Sequence, residues 1–117
     1  MAIRVLIWDV SQLLTEIMTL ICSHEPDLEV MAPKGKLNLL EAVEVDLPDV
    51  IIIGEGNTTW KEACGQVLRA YPCVRVISLK NDGREAYLCS LTLERTSLGE
   101  LSPENLVKAI RQSLDSS

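Results

Sequence analysis

The stretch Pro48-Asp49-Val50-Ile51-Ile52-Ile53-Gly54 decides the fold. Val50 to Ile53 are all β-branched, and branching at Cβ favours the pleated strand over the helix. No polar residue interrupts them. A strand that is apolar at every position, not at alternate ones, is covered on both faces. That places it in the interior of a parallel sheet. Pro48-Asp49 breaks the helix before it, and Gly54-Glu55-Gly56-Asn57 reads as the loop after it.

Working toward the N-terminus, Leu37 to Val45 reads as a short helix with Leu39, Leu40 and Val43 on its apolar side. Pro33-Lys34-Gly35 is a turn and Leu28 to Met31 a short strand. Before these, Ser11 caps a helix with Leu14, Ile17, Met18 and Ile21 on one face. That helix stops near His24, because Pro26 disfavours helix in the residue before it. Ile3 to Trp8 is another buried strand, ended by Asp9.

Working toward the C-terminus, Thr58 or Thr59 caps a helix through Leu68, with Trp60, Cys64, Val67 and Leu68 inward. Pro72 ends it, and Val74 to Leu79 is the next strand. Strands alternating with helices predict a parallel sheet with right-handed crossovers and helices on both faces. The rhythm then breaks. Asp82-Gly83 is a tight-turn signal, and Cys89, Leu91 and Leu93 alternate with Ser90, Thr92 and Glu94. A hairpin or extended strand is expected there in place of a fourth helix, with a further extended piece from Thr96 to Leu98. The last helix starts with Ser102 as cap and Pro103 at the first helical position. Leu106, Ala109, Ile110 and Leu114 form its inner stripe.

The chain has 117 residues, the length of one domain, and 47% of them are hydrophobic. It has two Trp, two Tyr and no Phe, so Ile, Leu and Val must build the core. One domain is expected over 1–114, with 115–117 as a frayed tail. The formal net charge is −6. With no basic stripe, a nucleic-acid partner is not expected. No apolar run is long enough to span a bilayer, so no membrane partner is expected and a cytoplasmic location is. Cys22, Cys64, Cys73 and Cys89 form no CxxC pair, and His24 lies at no metal-ligand spacing from them. They read as free, mostly buried thiols, with no metal and no cofactor.

Five segments carry a family resemblance: Ile3-Arg4-Val5-Leu6-Ile7-Trp8-Asp9, Glu25-Pro26-Asp27-Leu28-Glu29-Val30, Pro48-Asp49-Val50-Ile51-Ile52-Ile53, Tyr71-Pro72-Cys73-Val74-Arg75-Val76-Ile77 and Ser102-Pro103-Glu104-Asn105-Leu106. In order and spacing they resemble response-regulator receiver domains. The resemblance is close around Asp9 and from Pro48 to Leu79, and loosens between Asn81 and Leu101. It implies a doubly wound α/β fold of the flavodoxin-like kind, with a mainly parallel five-stranded sheet. It also implies a place in two-component signal transduction.

Receivers of this family accept a phosphoryl group on an Asp after the third strand. Two acids after the first strand help hold Mg²⁺. A Thr or Ser after the fourth strand and a Lys after the fifth contact the phosphoryl oxygens. The carboxylate is the nucleophile, and the cations offset charge growing on the transferred group. In this chain the acceptor position is Gly54, which has no nucleophile. The acidic pair is Asp9 followed by Val10. The Thr/Ser position is Lys80, and no Lys-Pro follows the expected fifth strand. Asp9, Val10, Gly54 and Lys80 thus outline a degenerate phosphoacceptor pocket. An ion pair between Lys80 and Asp9 is one arrangement this pocket allows, and a solvated Lys80 is the other.

The expected function is a non-enzymatic, phosphorylation-independent receiver-like module, a pseudo-receiver, acting through contact with another protein or with a second copy of itself. Because the sequence stops after its last helix, the output is expected to lie in the partner. The alternative is a small-ligand or anion sensor, or an enzyme, using the crevice at the carboxyl ends of the strands. In that reading Gly56, Asn57, Thr58 and Thr59 offer backbone N–H groups to an anion.

Overall fold

The computed structural model describes residues 3–31, 38–55, 60–80, 84–89, 95–99, 106–108 and 110–111. The elements run β1 (Ile3–Trp8), α1 (Gln12–Ser23), β2 (Leu28–Met31), α2 (Leu39–Asp46), β3 (Val50–Gly54), α3 (Trp60–Ala70), β4 (Arg75–Lys80), β5 (Glu85–Cys89) and β6 (Arg95–Gly99). Residues 106–108 and 110–111 are helical. The strands form one sheet in the order β2-β1-β3-β4-β5-β6. β2, β1, β3 and β4 pair in parallel, while β4–β5 and β5–β6 are antiparallel.

β3 lies inside the sheet, between β1 and β4, and every one of its residues is buried. Its alternating side chains feed two cores. Val50 and Ile52 join Val5, Ile7, Met18, Cys22 and Ile77, together with Leu106, Val107 and Ile110 of the C-terminal helix. Ile51 and Ile53 join Leu6, Val43, Cys64, Val67 and Val76 on the opposite face. The uninterrupted apolar run is the sequence form of this two-sided burial.

Local chemistry sets the helix ends. Ser11 Oγ accepts from the Leu14 N–H at 3.3 Å, capping α1 as expected. α2 begins at a capping box: Asn38 Oδ1 accepts from the Glu41 N–H at 2.9 Å, and Glu41 Oε1 from the Asn38 N–H at 3.5 Å. This cap starts α2 two residues later than the expected Leu37. α2 ends with Leu47 in the left-handed conformation at φ 48°. β4 begins at Arg75, one residue beyond the expected Val74.

The expected break after β4 is present, but placed differently. β5 lies at Glu85–Cys89, ahead of the alternation that begins at Cys89. Residues 90–94 lie outside the described residues. The register explains the shift: Lys80 pairs with Glu85 and Val76 with Cys89, so β5 folds straight back on β4. Ala86 and Leu88 then face one core, while Cys89 faces the other. With β6 paired beyond β5, the sheet has six strands rather than five. The turns at Pro33-Lys34-Gly35 and Asp82-Gly83, the caps at Thr58, Thr59 and Ser102, and the tail at 115–117 lie outside the described residues.

Two further expectations need adjustment. Ile17 is not on the inner face of α1; it is 43% exposed, and Cys22 takes the inner place beside Met18. Of the four free cysteines, Cys22 and Cys64 are buried, Cys89 is half-buried and Cys73 is exposed. Among the described residues, no helix is long and apolar enough to cross a membrane.

The C-terminal helix is tied to the turn between α1 and β2 by Arg111. Its Nη2 lies 2.8 Å from Asp27 Oδ1 and 3.1 Å from Glu25 Oε2. The hydrogen bond from Arg111 holds the Asp27 carboxyl below its ordinary range. A carboxyl more acidic in the folded chain than in the unfolded one adds stability above the unfolded value. That stability is lost as pH falls through the lowered folded value. Thermal melts of wild type and Arg111→Gln should therefore differ most near neutral pH and converge below about pH 4.

Candidate functional site

Asp9, Gly54 and Lys80 all lie at the carboxyl-end rim of the parallel strands. β1 and β3 run side by side, with Trp8 opposite Ile53, so the next residues to meet are Asp9 and Gly54. There the chain leaves β1 through a left-handed conformation, with Asp9 at φ 53°. For most residues this conformation costs about 1–2 kcal/mol, and Asp and Asn adopt it more readily than others. Val10 packs against the core, and its carbonyl accepts from Thr15 Oγ1 at 3.4 Å, so the turn runs directly into α1.

The backbone of this turn sits on Gly54. A Cβ on Gly54 would penetrate the Asp9 carbonyl oxygen, and would lie 3.2 Å from the Asp9 carbonyl carbon and 3.6 Å from Val10 Cα. The obstacle is main chain and cannot rotate aside as a long side chain could. Gly54 is therefore more than a position without a nucleophile: this backbone leaves no room for any side chain there.

The other pocket positions do not converge. Lys80 is exposed at the end of β4 and sits opposite Glu85 of β5. Among the described residues no ion pair joins Lys80 to Asp9, so of the two arrangements the sequence allows, the structure has the exposed Lys80 and not the bridge. The reason is spacing: β3 lies between β1 and β4, which puts the two strands about 10 Å apart. Glu55, next to the acceptor position, continues the β3–β4 ladder, its N–H donating to the Leu79 carbonyl at 2.9 Å. Gly56, Asn57, Thr58 and Thr59, the expected anion loop, lie outside the described residues.

A Mg²⁺ site of the kind the resemblance implies does not fit these residues. Magnesium requires oxygen ligands in near-octahedral geometry. Val10 supplies no side-chain oxygen, and Gly54 supplies no side chain. Among the described residues no group of three or more His, Cys, Asp or Glu is placed to hold a metal.

Two polar residues on or next to the strands of the site, Asp49 and Ser78, make structural contacts. Asp49 lies at the opposite end of β3. Its Oδ2 accepts from the Arg4 N–H at 2.9 Å, and its carbonyl accepts from the Arg75 N–H at 3.0 Å, so it joins three strands. Ser78 is fully buried, and its Oγ accepts from Cys89 Sγ at 3.6 Å.

The geometry has a counterpart among solved structures. The response regulator domain of CheB from Thermotoga maritima superposes with a TM-score of 0.67, covering 98% of each chain at 22% identity. The fold is that of a receiver domain. No protein-family model matches the sequence, and no curated protein matches it. Within the receiver fold, the contact of Asp9 with Gly54 lies where the resemblance places the phosphoacceptor. It was only half legible beforehand: the missing nucleophile shows in the sequence, but the overlying carbonyl does not.

Gly54→Ala should lower the unfolding free energy by about 2–3 kcal/mol in urea titration, because main chain must move. Asp9→Asn should leave stability within about 0.5 kcal/mol. Asp9→Val should cost about 1–2 kcal/mol, since a β-branched residue resists the left-handed conformation.

Proposed function

We propose that the chain is a non-enzymatic receiver-fold module that signals by protein contact and does not depend on phosphorylation. One observation carries this reading: the Asp9 backbone occupies the space that an acceptor side chain at position 54 would need. In-line transfer needs a carboxylate nucleophile, a metal and a cation converging on one phosphoryl group. Here Gly54 cannot supply the first. Val10 removes a metal ligand, and Lys80 lies two strands away from Asp9.

The resemblance supports a signalling role, and the loss of the acceptor leaves surface contact as its means. The partner is another protein or a second copy of this chain, with no nucleic acid or membrane involved. The composition suits an intracellular, cytoplasmic setting, where free thiols such as the exposed Cys73 persist.

Incubation with acetyl phosphate and Mg²⁺ tests this reading. Intact-mass measurement should show no phosphoryl adduct on the wild type. Gly54→Asp should also stay unmodified, because its carboxylate has no formed pocket to enter. A stoichiometric adduct on the wild type would overturn the proposal.

A further inference from the structure

α1 carries more apolar surface than the fold uses. At about 100° per residue, its apolar arc from Leu20 through Leu13, Ile17, Ile21, Leu14 and Met18 to Cys22 covers roughly 200°. Met18 and Cys22 are buried, and Leu14 and Ile21 pack against the same core. The other half of the arc faces water. Leu13 is 70% exposed, Ile17 43% and Leu20 63%. Their spacing of four and then three residues lines them up as one stripe on the outer face of the helix.

Charge and symmetry select what covers this stripe. The chain has a formal net charge of −6. α1 has a single charged residue, Glu16, whose carboxylate accepts from Gln12 Nε2 at 3.3 Å on the flank of the stripe. A basic partner would find little to pair with on this helix. Two copies of the same near-neutral face can meet with little repulsion. The stripe is also close to symmetric about Ile17. Packed antiparallel across a two-fold axis, Ile17 meets its own copy and Leu13 of one chain meets Leu20 of the other.

We propose that the outer face of α1 is a self-association surface, through which two copies pair by antiparallel packing of their Leu13-Ile17-Leu20 stripes. This rests on the contact-module reading and names its partner. The face is small. A twelve-residue helix is about 18 Å long and 10–12 Å wide. That falls short of the roughly 800 Å² per partner of a standard stable interface, so the dimer is a weak and reversible one.

Sedimentation velocity on the full chain, from about 10 μM to about 1 mM, should show the weight-average mass rising toward the dimer. Raising the salt from about 20 to about 150 mM should strengthen the association, by screening the remaining acidic charge. Leu20→Glu should weaken it by about tenfold or more while leaving the thermal melt unchanged. An equimolar mixture of Leu20→Glu with Leu13→Lys should recover a heterodimer, since the antiparallel register sets these positions face to face. A wild-type chain that stays monomeric at the highest concentration would sink the proposal and leave the stripe to a different protein. A dimer indifferent to Leu20→Glu would refute it as well, by placing the interface elsewhere. Neither failure touches the phosphorylation-independent reading, which the acetyl phosphate experiment decides separately.

Discussion

The Asp9 carbonyl oxygen rests where a Cβ of residue 54 would have to be. That one approach joins the end of β1 to the end of β3 and starts the turn into α1. It is possible only because residue 54 is glycine, and it is easier because residue 9 is aspartate. The two positions that the receiver resemblance marks for metal and phosphoryl chemistry therefore have a sufficient explanation in backbone packing. Asp9 is a case where a retained acid does not imply a retained function. Its left-handed φ of 53° is reason enough for its residue type.

The sheet departs from a parallel α/β arrangement after β4. A parallel neighbour for β4 would require a crossover, usually a helix. Lys80 instead pairs with Glu85, and the chain returns as an antiparallel strand. On the side of the sheet covered by α2 and α3, β5 presents Glu85, Tyr87 and Cys89 rather than aliphatic residues. These are half-buried, and Tyr87 Oη donates to Glu85 Oε1 at 3.0 Å. The mixed polarity of these side chains agrees with a strand that follows β4 without a crossover helix among the described residues.

Much of this fold could be read from the sequence, and the reasons are specific. Val50 to Ile53 announced an interior strand because two-sided burial removes the usual alternation of apolar and polar residues. Ser11, Pro26 and Pro72 marked helix ends through capping and through proline's restriction on its neighbour. The misplacement of β5 arose because Cys89 to Leu93 shows the clearer alternation. The strand that pairs has a small residue, Ala86, at its most buried position, and that weakens the pattern. α1 is apolar over too wide an arc for spacing alone to separate Ile17, which faces outward, from its buried neighbour Met18. At the candidate site, the residue types at Gly54, Val10 and Lys80 already differ from those the resemblance calls for. The approach of Asp9 was invisible, since it depends on where one strand's main chain passes another's.

The hairpin after β4 also changes how the chain can assemble. Pairing β1 with β3 brings Val5 to Val50, across most of the N-terminal half. Pairing β4 with β5 needs only Lys80 to reach Glu85. The entropy lost on closing a loop grows with its length, and contacts between distant residues slow folding. Exchanging a crossover for a hairpin thus gives the C-terminal strands a nucleus of their own, one that can form before the N-terminal strands find their places in the sheet.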